Sequence, residues 1–406
     1  MLERRFLFCF ALFFNISLYL YGDSNISGNH DEESPGTIIS VDFETTMSPE
    51  EIDDFNSELF SGYENPHATV SVDIYWVKFM SLYPDGKTAP ITAQFFIPEY
   101  IDEASRSVYI FGSGSTGLRD SCRPSREHTA GIHWGYYRSH TLAHAGQGSI
   151  GIMPDYMGFG DPERLQYYMV AESEARVMLD AARALKHLLS RLERKGINGL
   201  SFFVAGFSQG GHAAFATADF RMSYAPDIKI AGIIGYGPTT DLIRLFREFP
   251  DVAPMVIFTY RNLYGREYID PDLLLKRKFA ATLDKDLNRM CVGAMQSYYP
   301  IDPDKLFSVK FRDSLVNGTV DRDFPSVYRI LQKNSTGLTW HGVPSLILQG
   351  TDDIVVYADS QEDSVEKMRE AGNRVDYIVL ENTRHDTRQA GFYEARRWMA
   401  GITEKE

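Results

Sequence analysis

The feature that most constrains this chain is one serine set among glycines, Gly206-Phe207-Ser208-Gln209-Gly210-Gly211. An apolar run, 202–205, leads into it, and the helix-forming stretch His212-Ala213-Ala214-Phe215-Ala216 leads out. A backbone that passes from strand to helix in so few residues must make a tight, strained turn. Glycines two before and two after the serine relieve crowding where strand and helix approach. The serine hydroxyl then projects above the C-terminal edge of a sheet, where α/β sheets place their sites. Such a turn needs a sheet beneath it, so strands and helices should alternate along the chain.

They do. Val70, Val72, Ile74 and Trp76 alternate with period two, which predicts a strand. Tyr83-Pro84-Asp85-Gly86 is a turn signal, and 91–97 reads as the returning strand. Short apolar runs at 108–111, 150–153, 228–234, 343–348 and 375–380 read as further strands, with helices over 170–194, 360–371 and 389–399. Continuous apolar strands separated by helices predict a mostly parallel sheet covered on both faces. Residues 240–340 break the rhythm. They are rich in aromatics, among them Phe246, Phe249, Phe258, Tyr260, Tyr264 and Tyr268, and read as a helical cap inserted between two strands.

Residues 1–22 read as an export signal. Arg4 and Arg5 precede the apolar run 6–14, which is short for a membrane span and is followed by Asn15 and Ser17. Cleavage would release a secreted or periplasmic chain with no membrane span; the other reading is an uncleaved N-terminal membrane anchor. Residues 23–50 read as a polar linker, and 51–406 as an α/β domain carrying the cap. Of three cysteines, Cys122 and Cys291 would remain after cleavage. In an oxidising compartment they can pair; two buried thiols are the alternative. Three cysteines are too few for a zinc ribbon. The formal charge of −14 repels phosphate backbones and gives no pull toward anionic membranes, so nucleic acid is excluded as the expected partner.

A serine is a weak nucleophile without a base, and the base needs an orienting acid. The elbow arrangement expects the order serine, acid, histidine. Both partners stand at strand ends. The run 346–350 leads into Thr351-Asp352-Asp353, and 377–380 leads into Glu381-Asn382-Thr383-Arg384-His385. His385 is the expected base. Asp353 is the expected acid, because Ile354, Val355 and Val356 would bury it, whereas Asp352 should face solvent. His212 should pack or hydrogen-bond one turn into the helix. His140 and His144 have a metal-compatible spacing but no companion ligands, and read as residues of a surface helix. A tetrahedral oxyanion needs backbone donors. These are expected from Gln209 and from Gly114 and Ser115 in the loop Gly112-Ser113-Gly114-Ser115-Thr116-Gly117. No metal or cofactor is called for.

With these residues in view, the chain resembles the secretory lipase family of α/β-hydrolases, fungal and bacterial. The resemblance covers most of the chain after about Ala68. It rests on Gly114-Ser115-Thr116-Gly117 with Cys122-Arg123-Pro124-Ser125, on Pro154-Asp155-Tyr156-Met157-Gly158-Phe159-Gly160, on Glu172-Ser173-Glu174 and Leu179-Asp180-Ala181-Ala182-Arg183, on the elbow, and on Gly350-Thr351-Asp352-Asp353. It implies an α/β-hydrolase fold and a carboxylic-ester hydrolase, an esterase or lipase, acting on a small ester or lipid. Many members carry His-Gly where this chain has Ser113-Gly114. A serine peptidase or acyltransferase on the same fold is the alternative, since fold does not fix substrate.

Overall fold

The computed structural model describes residues 34–100, 106–129, 131, 134–161, 163–193 and 199–404. The segment read as an export signal lies outside the described residues. One sheet of nine strands organises the rest, in the order β1 (Ile38–Met47), β2 (Val72–Leu82), β3 (Thr88–Pro98), β5 (Ile150–Pro154), β4 (Ser107–Gly112), β6 (Ser201–Phe207), β7 (Ile230–Tyr236), β8 (Ser345–Gly350) and β9 (Val375–Leu380). The first three strands and their junction with β5 are antiparallel. From β5 onward every pairing is parallel. The chain leaves β4 for β5 on one side and then for β6 on the other. The topological switch therefore falls at β4 and β6, where open α/β sheets form their crevice.

The strand runs expected from periodicity are present. β4 to β8 are buried along their length except at Phe207, the last residue of β6, as sheets covered on both faces require. One face is covered by the helices α3 (Ala171–Arg191) and α4 (Gln209–Tyr224) together with Ala358–Glu370. The other is covered by α1 (Pro49–Asn56), α2 (Tyr137–Gly146) and Phe392–Thr403.

Two expectations need correction. The linker read over 23–50 does not extend across Ile38–Met47, which is β1 and pairs with β2 over most of its length. It is an edge strand with one neighbour, so polar residues are tolerated along it. Its β-branched content was the available signal. Ser48 then caps α1: its Oγ accepts from the Glu51 N–H, and Glu51 answers by accepting from the Ser48 N–H at 2.8 Å. Nor is the helix carrying His140 and His144 a surface helix. Every residue of α2 is buried. The His144 ring stacks on Tyr109 with centroids 3.8 Å apart, and His140 Nε2 meets the Tyr109 hydroxyl at 2.9 Å. Burial pushes both imidazoles well below their usual pKa, so they are neutral packing groups.

Between β7 and β8 the chain runs through short helices from Leu242 to Asn334. These share a hydrophobic cluster of their own, including Phe246, Val256, Leu283, Phe307 and Phe311, separate from the two beside the sheet. Its aromatics meet mostly edge to face, as at Phe307 and Phe311, 5.2 Å apart.

Candidate active site

The crossing of β6 and α4 explains why glycines flank Ser208. A Cβ on Gly206 would lie 1.9 Å from the Gly210 carbonyl oxygen, and one on Gly210 would lie 1.8 Å from that of Gly112. Neither position can carry a side chain. Ser208 itself has φ +53°, a left-handed conformation uncommon for a residue with a Cβ. It is held by its N–H to Tyr236 O at 3.1 Å, and its carbonyl accepts from the Thr239 and His212 N–H groups. Its side chain lines a cavity of about 230 Å³.

His385 lines the same cavity from the loop after β9. Its Nδ1 meets Asp353 Oδ2 at 2.7 Å, and its Nε2 has no hydrogen-bond partner among the described residues. Asp353 is buried on the loop after β8. Its Oδ1 accepts from the Val355 and Val356 N–H groups at 2.8 and 3.0 Å, and Oδ2 also receives Gln349 Nε2 at 3.3 Å. Asp352 is exposed, and among the described residues its carboxylate meets only the Thr351 hydroxyl, at 3.1 Å. The two adjacent aspartates therefore leave the loop in different directions. Gly237, with φ +48°, makes room for the pair: a Cβ there would come 3.1 Å from the His385 ring and 3.2 Å from Asp353 Oδ2. Sequence reasoning gave no role to this glycine.

The loop after β4 lies beside the elbow because Gly112 pairs with Gly206. Ser115 lines the cavity, and its hydroxyl meets that of Tyr168 at 2.7 Å. Gly114 is packed more tightly: a Cβ there would meet the Tyr137 hydroxyl at 2.7 Å. Gln209 opens α4, and its side chain donates to Glu174 Oε1 at 2.8 Å.

Glu174 is a second finding that sequence reasoning missed. It is almost fully buried on α3, one turn before Val177 and Met178, and a carboxylate on that apolar face was the available signal. Besides Gln209 it receives the Met169 N–H at 3.2 Å and faces His212 Nδ1 at 2.6 Å. His212 Nε2 in turn faces the Asn334 carbonyl at 2.6 Å. The elbow helix, α3 and the end of the cap meet in this network. Beneath Phe207 lies Arg388, buried, its guanidinium 4.5 Å from the ring centroid and donating to the Gly135 carbonyl. Burial holds its pKa below the usual arginine value.

Cys122 and Cys291 form a disulfide between the loop following β4 and the cap. Around it, the Val292 N–H donates to Thr116 O at 2.8 Å. Within the cap, Asp302 caps the short helix Pro303–Leu306, and Asp304 pairs with Arg312. Among the described residues no cluster of three His, Cys, Asp or Glu side chains could hold a metal, and no helix is long and apolar enough to cross a membrane.

The fold recurs in solved structures. The rice cell wall degrading esterase LipA from Xanthomonas oryzae superposes with a TM-score of 0.70 at 17% identity, over 92% of this chain and 98% of that one. A hydrolase from Legionella pneumophila reaches 0.74 at 17% identity, over 91% and 98%. Candida antarctica lipase A in its closed state reaches 0.63 at 16% identity, over 93% and 84%. Comparison with curated proteins gives no match. The sequence pattern of the secretory lipases matches residues 139–400, a span that takes in the elbow, the cap and the loops carrying Asp353 and His385, and the chain belongs to the secretory lipase family.

Proposed function

We propose that this chain is an exported serine hydrolase that cleaves carboxylic esters through an acyl-enzyme on Ser208. The observation that carries the reading is the His385–Asp353 pair: His385 lines the same cavity as Ser208, and its Nε2 is left without a hydrogen-bond partner among the described residues. His385 takes the Ser208 proton as the hydroxyl attacks the ester carbonyl, and returns it to the leaving alcohol. Asp353 accepts from Nδ1–H, fixes the tautomer and stabilises the imidazolium as it forms. The oxyanion is stabilised by the backbone N–H of Gln209, at the positive end of α4, and by that of Ser115. Gly114, packed against the Tyr137 hydroxyl, is the weaker candidate of the pair expected in that loop. Water then repeats the sequence on the acyl-enzyme. The N-terminal segment and the disulfide both suit an oxidising compartment.

A fluorophosphonate probe should label Ser208, located by peptide mapping. Aryl esters should be turned over and peptide anilides should not. Labelling with anilide cleavage instead would make the chain a peptidase on the same fold. Failure of both labelling and ester turnover would remove the serine mechanism.

A further inference from the structure

The wall of the active-site cavity formed by Phe249 and Gln296 is also the inner wall of a second, wider groove on the cap, of about 860 Å³. Aromatic side chains line it, with Phe279 and Tyr298 meeting edge to face at 5.8 Å. Lys276, Lys278 and Lys305 also line it. That sign runs against the chain as a whole, in which 55 acidic residues outnumber 41 lysines and arginines. Lys305 shares its charge with Asp302 at 3.2 Å. Lys278 lies over the Phe279 ring, 4.4 Å from its centroid. Among the described residues no carboxylate forms an ion pair with Lys276 or Lys278, although Asp302 is near enough to act on Lys276 through its charge. One carboxyl lines the groove, that of Asp251, which is buried with Oδ1 unpartnered among the described residues. Burial pushes it up to about 7, so in mildly acid solution it is largely protonated and does not cancel the lysines.

Apolar walls next to the reacting serine, followed by cations, suit one kind of molecule. It has an ester, then an apolar segment, then an anion. We propose that this groove is a subsite for the anionic end of the ester substrate, a carboxylate or a phosphate carried one apolar segment away from the scissile bond. The proposal rests on Ser208 being the ester-cleaving nucleophile. It adds to that reading a preference that the overall negative charge would not suggest: long-range repulsion is screened within about 10 Å at 0.1 M salt, whereas lysines at contact distance act directly.

The test compares esters matched in length and differing in the terminal group. One series is 4-nitrophenyl monoesters of linear dicarboxylic acids against their methyl-capped diesters. A second is ω-acetoxyalkanoates against their methyl esters, and a third is ω-acetoxyalkyl phosphates against the dimethyl phosphates. The series separate acyl-side from alcohol-side anions and carboxylate from phosphate. In at least one series, at an optimal length, kcat/KM should favour the anion at least tenfold, through KM, and the preference should shrink as salt is raised. In the variant K276E/K278E the anionic-to-neutral ratio should fall to one or below, with thermal unfolding reporting that the fold is kept. Lys305→Glu should give a smaller fall, because Asp302 already shares that charge. The subsite is overturned if neutral esters match anionic ones at every length in all series, or if charge reversal leaves the ratio unchanged. If Ser208 is labelled and neutral esters are cleaved, that failure belongs to the subsite alone. If no ester is cleaved and Ser208 is unlabelled, the serine reading fails and takes the subsite with it.

Discussion

Two histidine–carboxylate pairs lie near Ser208, and they are built almost alike. His385 Nδ1 meets Asp353 at 2.7 Å, and His212 Nδ1 meets Glu174 at 2.6 Å. What separates them is the far nitrogen. His385 Nε2 is unpartnered among the described residues and its ring lines the cavity, whereas His212 Nε2 is engaged by the Asn334 carbonyl and the ring is fully buried. A general base needs a lone pair directed at a transferable proton. A ring held at both nitrogens is a strut. Proximity in sequence points the wrong way here, since His212 lies four residues from the serine and His385 far from it. Position at a strand end is what separates the two.

The comparison can be broken at several points. Ser208→Ala should fold normally and lose on the order of 10⁶ in kcat, as removal of a triad nucleophile does; near-normal ester turnover by the purified variant would remove the premise. Asp353→Asn should lower kcat by about 10³–10⁴ through the wrong tautomer, with little change in melting temperature, because Asn can keep Oδ1 as acceptor for Val355 and Val356. Glu174→Gln should show the opposite pattern. It breaks a buried pair and should cost roughly 3–5 kcal/mol in denaturant unfolding, while kcat falls by only about 10–100-fold as Gln209 loses its anchor. If Glu174→Gln instead lost turnover as Asp353→Asn does, at unchanged stability, the strut would be a working part of the chemistry. Asp352→Asn should change kcat less than tenfold, since that carboxylate is exposed and among the described residues meets only Thr351. A larger effect than at Asp353 would reverse the acid assignment.

The parts legible in the sequence were those where one residue type answers one local demand. The elbow needed glycine at 206 and 210 because backbone fills the space of any Cβ. The strands needed apolar runs because both faces are covered. Asp353 is buried and Asp352 exposed, as expected, but not for the expected reason: Ile354 is 63% exposed, and the Asp353 carboxylate is held inward by the Val355 and Val356 N–H groups and by His385. The parts that were not legible depend on distant partners. β1 is polar enough to read as linker until β2 pairs with it. The α2 histidines look exposed until Tyr109 and Phe392 close over them. Glu174 acquires its meaning from three residues on other segments, Met169, Gln209 and His212.

The bond between Cys122 and Cys291 joins residues 169 apart and closes a covalent ring that contains the elbow and the first part of the cap. In a chain-entropy picture such a closure stabilises by about 5 kcal/mol. The ring also changes what a protease can do. A cut after the exposed Arg266 would leave Ser208 on one piece and Asp353 and His385 on the other. Both pieces would still be fastened through sulfur, so an enzyme released among proteases would survive its first nick as one particle on a non-reducing gel. Reductant would then act as the second cut, and only nicked molecules would separate, under denaturing conditions, into a half with Ser208 and a half with Asp353 and His385.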